Sequence, residues 1–125
     1  MKLKEILHLL DAEVVWGSED KLEINIEYAG ASDLMSDVLA FGKPGLLLLT
    51  GLSNAQSVRT ADIMEAKAIA YVRGKRPDKE GVEIAIKKGI PLISTKYLMY
   101  KACGLLYSHG LQGITDSPEK NSHDR

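Results

Sequence analysis

The groups best suited to chemistry in this sequence are three cations in one short run, Arg73-Gly74-Lys75-Arg76-Pro77-Asp78. Arginine and lysine recognise oxyanions, and a helix opening just after them adds unpaired N–H groups at its first turn. Gly74 permits an unusual turn, Pro77 fixes the approach to the helix, and Asp78 suits its N-cap. The run predicts an anion-binding loop; the plainer alternative is a solvated loop that keeps a sheet edge soluble. Two further junctions carry hydroxyl and amide groups, Thr50-Gly51-Leu52-Ser53-Asn54 and Ser94-Thr95-Lys96. Arg73, Lys75 and Arg76 are therefore expected to supply charge to a ligand, and Thr50, Ser53, Asn54 and Thr95 polar contacts. Capping competes for two of these: Ser53 to Gln56 reads as a capping box, and Thr95 as the cap of a last helix.

Catalytic chemistry finds no matching set. His8, His109 and His123 are scattered without metal-ligand spacing, so neither a metal nor a cofactor is expected. Asp33 and Asp37 are four apart, but a dipole-favourable acid in a helix's first turn explains Asp33 more simply than a carboxylate pair. The lone Cys103 excludes an internal disulfide and reads as a packing residue. Neither G-x-x-x-x-G-K-[ST] nor G-x-G-x-x-G occurs, so ATP hydrolysis and Rossmann-type dinucleotide binding lack their motifs. Tyr97, Tyr100 and Tyr107 lie on one predicted helix, where core packing competes with a partner surface.

Positioning these groups requires strands that end just before them. Residues 68–72 are β-branched and aromatic enough for a strand whose carboxyl end presents Arg73, the end at which open α/β sheets bind ligands. Residues 46–49 are continuously apolar, as in a strand covered on both faces, and 92–94 form a last short strand. Helices are expected from Ser53 to about Ala66, after Asp78 with Gly89 as C-cap, and from Thr95 to a stop at Gly110. In these helices Val82, Ala85 and Ile86, then Leu98, Ala102, Leu105 and Leu106, are expected to face the core. Before residue 45 the pattern predicts an amphipathic helix through Leu3, Ile6, Leu7 and Leu10, then strands at 13–16 and 22–28 that can pair as a hairpin across a turn at 17–21. A helix capped by Ser32 follows, burying Leu34, Met35, Val38 and Leu39 and stopped by Gly42 and Pro44. Alternating strands and helices make this an α/β fold with a mostly parallel sheet, the first strands leaving room for a mixed one.

At 125 residues there is room for one domain, expected over 1–113, with 114–125 as a disordered tail poor in apolar groups. A net charge of -1 argues against general affinity for nucleic acid, so any basic patch is local. The apolar run at 46–49 falls far short of the roughly 20 residues that span a bilayer, and the single cysteine suits a reducing cytoplasm. No membrane partner is expected.

The segments ASDLMSDVLAF, LLLLTGL, AYVRGKRPDKEGVEIAIKKGIPLIST and KYLMYKACGLLY, within residues 31–107, resemble the DRTGG-domain family. That family is also found beside nucleotide-sensing CBS domains and is similar to the amino-terminal domain of HPr kinase/phosphorylase. The DRTGG string itself does not occur here. The resemblance implies a three-layer α/β/α domain without kinase activity and carries over no catalytic residue. It points to a non-catalytic regulatory or sensor module that binds a small anionic ligand such as a nucleotide, or a partner protein. The alternative it implies is an accessory subunit of a redox assembly of the iron-hydrogenase type. A homodimer is expected because exposed strand edges are commonly covered by a second copy.

Overall fold

Leucine at four successive positions, 46–49, forces one segment to the middle of the fold, since a strand alternates its side chains and both faces must then be covered. In the computed structural model, which describes residues 1–114, each of these leucines is at most 1% exposed. Burial of each contributes about 1.5–3 kcal/mol. The elements in chain order are α1 (Leu3–Leu9), β1 (Glu13–Trp16), α2 (Glu19–Leu22), β2 (Tyr28–Ala31), α3 (Met35–Phe41) and β3 (Leu46–Thr50). They continue with α4 (Ala55–Ile63), β4 (Ala68–Tyr71), α5 (Lys79–Lys88), β5 (Leu92–Ser94), α6 (Met99–Ser108) and β6 (Gln112–Gly113).

The six strands form one sheet in the order β1-β5-β4-β3-β2-β6, parallel throughout except for β1, which runs antiparallel to β5. Helices α1 and α6 cover one face, with Leu3, Ile6, Ala102 and Leu106 packed on Leu47, Leu49, Ala70 and Ile93. Helices α3, α4 and α5 cover the other, where Val38, Val58 and Ala85 share a core with Leu46, Leu48, Ile69 and Leu92. The result is the three-layer α/β fold with a mixed, mostly parallel sheet.

Several local expectations are corrected. Residues 22–27 form no sheet strand, β2 starting only at Tyr28, and there is no hairpin with β1. Instead α2 occupies 19–22, and Ile24 and Ile26 bond to the amino terminus of α1, with Leu3 N donating to Ile24 O (3.0 Å) and Ile26 N to Met1 O (2.7 Å). The alternation of Leu22, Ile24 and Ile26 thus sends apolar groups toward the α1 core rather than onto a sheet face. The actual strand, Tyr-Ala-Gly-Ala, has little β-branched character to announce it. Ser32 is not the N-cap of α3: its hydroxyl accepts from Leu34 N (3.0 Å), the helix begins at Met35 with Leu34 as N-cap, and Leu34 and Leu39 are exposed. Asn54, not Ser53, caps α4 by accepting from Gln56 N, and α4 ends at Ile63. Leu98, not Thr95, precedes α6, and Leu98 and Ile86 are exposed. Asp78 and Gly89 do terminate α5 as expected, with Gly89 at φ 72°. The short β6, unexpected from sequence, pairs with β2, and Ile114 N donates to Ala29 O at 3.1 Å. Ile114, expected to open the tail at 114–125, is instead held by this bond, and residues 115–125 lie outside the described residues. Among the described residues, no helix is long and apolar enough to cross a membrane.

Candidate functional site

Pairing register places Thr50, Tyr71, Ser94 and Glu13 in one row across the carboxyl edge of the sheet: Thr50 pairs with Tyr71, Tyr71 with Ser94, and Ser94 with Glu13. The chain leaves β4 for α5 on one face and leaves β5 for α6 on the opposite face. Adjacent loops that diverge in this way open a crevice at the topological switch point, the usual ligand seat of such sheets. The basic run is the β4–α5 loop at this point.

Its conformation is held by both neighbours. Arg73 and Gly74 are consecutively left-handed, at φ 60° and 70°. This lets Arg73 N donate to Tyr97 O (2.9 Å) and Gly74 N to Thr95 O (2.8 Å). A Cβ on Gly74 would meet nothing, so its backbone conformation, not crowding, calls for glycine. Ser94 Oγ donates to Lys75 O at 2.6 Å, and Asp78 N donates to Ser53 O at 3.0 Å.

The three cations separate. Arg73 turns toward β3, where its guanidinium donates to Gly51 O (3.4 Å) and lies 3.9 Å from the Asp33 carboxylate. Asp33 Oδ1 accepts from Gly51 N (2.6 Å) and from the Thr50 hydroxyl (3.2 Å), and Thr50 Oγ1 accepts from Leu52 N (3.0 Å). Thr50 and Arg73 are therefore brought together, but by contacts that build the edge. Asn54 is engaged as a cap, and Ser53 lends its carbonyl to Asp78. Thr95 is 1% exposed; its hydroxyl donates to Leu10 O (2.6 Å) and accepts from Tyr97 N (3.1 Å), so it ties α1 to the β5–α6 loop. Lys75 is exposed, and Arg76 turns the other way to pair with Glu13. Tyr71 also points inward, to Ser57 Oγ at 2.8 Å. Burial pushes its phenol up to about 12.

Beside Arg76 lies a polar cavity of about 300 Å³, lined by Asp11, Glu13, Gly74, Arg76, Ser94 and Lys96 among others. Lys96 has no carboxylate within ion-pairing distance among the described residues. Tyr97 forms another wall and carries the Lys101 ammonium 3.9 Å from its ring centroid. Two cations from loops after adjacent strands suit this volume to an oxyanion. A larger cavity, about 390 Å³, lies beneath α3 at the far edge, but Asp37 is its one charged lining residue and it borders Ile114, where the described chain ends. Sequence reasoning missed Glu13, Asp11 and Lys96. Lys96 follows Thr95 directly and was open to the same strand-end logic, whereas Glu13 and Asp11 join the site only through the pairing of β1 with β5.

No family model and no curated protein matches the chain. Among solved structures, the chain is similar to the crystal structure of the CBS and DRTGG domains of the regulatory region of Clostridium perfringens pyrophosphatase, complexed with the activator diadenosine tetraphosphate. The TM-score is 0.66 at 21% identity, covering 84% of this chain and 45% of that chain. The fold is DRTGG-like. This chain thus spans less than half the length of that structure. Within this DRTGG-like fold, the switch point between β4 and β5 gathers Arg76, Lys96 and Glu13 around one cavity. Among the described residues, no group of three or more His, Cys, Asp and Glu side chains is placed to hold a metal ion.

Proposed function

We propose that this chain is a non-catalytic regulatory module that binds a small anionic ligand of the nucleotide type in the cavity beside Arg76 and Lys96. The observation that carries the reading is the placement of these two cations around one polar cavity at the switch point of the sheet. The diadenosine tetraphosphate bound by the similar regulatory region supports a polyphosphate as the probe. Lys75, exposed on the same loop, adds to the loop's positive charge without lining the cavity. Arg73, Thr50 and Thr95 belong to the supporting frame, which revises the ligand roles expected from sequence.

Thermal denaturation with AMP, ADP, diadenosine tetraphosphate and inorganic pyrophosphate tests the proposal. Ligand at about 100 times its Kd stabilises a folded protein by about 2.7 kcal/mol, which raises the melting temperature by several degrees. The rise is expected in the native protein and lost in Arg76→Gln with Lys96→Gln. No rise with any of the four at millimolar concentration overturns it.

A partner-protein reading has its own support in α6, where Tyr100 is 92% exposed and Leu98 and Tyr107 are also exposed. Capture of one stoichiometric protein that Tyr100→Ala abolishes, without any anion effect, favours it. Co-purification with an iron-hydrogenase-type complex is the corresponding test of the accessory-subunit alternative. The proposed cytoplasmic homodimer is tested by light scattering, with a monomer at high concentration as the contrary result.

A further inference from the structure

The cavity beside Arg76 contains an anion belonging to the chain itself. Glu13 Oε1 pairs with Arg76 Nη2, and the two residues are 63 positions apart in sequence. Glu13 opens β1, opposite Ser94 in the register, so its carboxylate enters the cavity from the edge strand. We propose that Glu13 is a resident competitor: a bound anion replaces its carboxylate on Arg76, and this exchange loosens β1. The inference rests on the anion-binding reading above.

The lining of the cavity supports it. Arg76 and Lys96 contribute +2 and Asp11 and Glu13 contribute -2, so the formal charge of the lining is zero. Two of the nearby polar groups are otherwise engaged: Ser94 Oγ donates to Lys75 O, and Gly74 N donates to Thr95 O. Attraction for an anion therefore comes chiefly from Arg76 and Lys96, and the Arg76 Nη2 donor that Glu13 occupies becomes available to it when Glu13 leaves. Departure is easy because the side chains of Glu13 and Arg76 are 73% and 49% exposed.

The consequence for β1 follows from its attachment. It is the antiparallel edge strand, is only four residues long, pairs among the described residues with β5 alone and has an irregular register between Val14 and Trp16. The Glu13–Arg76 pair adds a side-chain tether from this strand to the β4–α5 loop. Coupling is reciprocal, so an anion that weakens the tether raises local opening of β1, and loss of the tether improves anion binding. A regulatory module thereby gains an output element beside its ligand.

The test uses the full chain, Glu13→Gln and inorganic pyrophosphate, with calorimetric titration and amide hydrogen exchange of residues 13–16. Glu13→Gln is expected to bind pyrophosphate about two- to five-fold more tightly, the span of an exposed ion pair. In the native protein, saturating pyrophosphate is expected to speed exchange in β1 by a similar factor; the variant exchanges faster without ligand and responds little to it. Equal or weaker binding by the variant overturns the competitor role while leaving the binding site standing. Unchanged β1 exchange on Glu13→Gln overturns the tether independently of any ligand. Absence of saturable binding in both proteins overturns the site itself and the competition with it.

Discussion

The carboxylate of Asp33 and the guanidinium of Arg73 take opposite ends of the same residue, Gly51, and approach each other to 3.9 Å. Asp33 Oδ1 accepts from Gly51 N (2.6 Å), while Arg73 Nη2 donates to Gly51 O (3.4 Å). A Cβ on Gly51 would collide with the guanidinium, so glycine is what allows the arginine to lie across this backbone. Three successive strand-to-helix loops, after β2, β3 and β4, are joined by these contacts.

The two partners contribute unequally. Asp33 accepts a short backbone bond and a hydroxyl bond, whereas Arg73 makes a long bond and a wide, half-exposed ion pair. Asp33→Ala is expected to lower stability by about 1 kcal/mol, and Arg73→Ala by less than about 0.5 kcal/mol. Urea midpoints at constant m-value check this; a larger loss for Arg73 would reverse the assignment.

Thr95 offers a sharper separation of frame from site. Its hydroxyl is buried and serves Leu10 O and Tyr97 N together. Thr95→Val keeps the shape but leaves both partners unfilled, and is expected to cost about 1–3 kcal/mol. Pyrophosphate affinity, measured where the variant remains folded, is expected to change by less than about two-fold, well under 1 kcal/mol. A large affinity loss would return Thr95 to the ligand contacts that its sequence position suggests.

Tyr71 imposes an alkaline limit. Ser57 Oγ donates to Asn54 O (2.9 Å), so its single proton is committed and Tyr71 is the donor in their shared bond. The unfolded phenol titrates near 10.0, but the folded one only at about 12. The native state therefore holds the proton that the unfolded state releases, and stability conferred by Tyr71 is present below pH 10 and lost as pH rises toward 12. The full effect is about 2–3 kcal/mol. Tyr71→Phe is expected to be less stable than the native protein at pH 8 and to lose less stability between pH 10 and 12. Parallel pH profiles of the two denaturation midpoints would contradict this.

What the sequence made legible was whatever depends on neighbours in the chain. The continuous leucines, the Asp78 and Gly89 caps of α5 and the strand before Arg73 all declare themselves within a few residues. Contacts set by strand order did not. Glu13 meets Arg76 because β1 adds antiparallel beside β5, and nothing near Glu13 in sequence encodes that choice. Asp33 misled in the opposite way: a first-turn acid is a sound local expectation, but the turn at Ser32 delays α3 and frees Asp33 to reach Gly51. The seven candidate ligand residues all lie at or just beyond the carboxyl edge of the sheet, while their division between frame and cavity depends on side-chain direction.

That division gives the last prediction. If the anion seat lies beside β5, Arg76→Gln removes a cation lining it, whereas Arg73→Gln alters a contact at Gly51 on the β3 side of the loop. A charge-assisted hydrogen bond to an anion contributes about 1.5–3 kcal/mol. Half-exposure of Arg76 and displacement of Glu13 reduce this, so Arg76→Gln is expected to weaken pyrophosphate binding about ten-fold, or 1.4 kcal/mol. Arg73→Gln is expected to stay within about two-fold, below 1 kcal/mol. Because exposed charges are screened within about 10 Å at 0.1 M salt, the native affinity should fall as salt rises and the Arg76→Gln affinity should fall less steeply. The reverse ranking would move the seat to the Asp33 and Thr50 side of the loop, where Arg73 would have to leave Gly51 to meet the ligand.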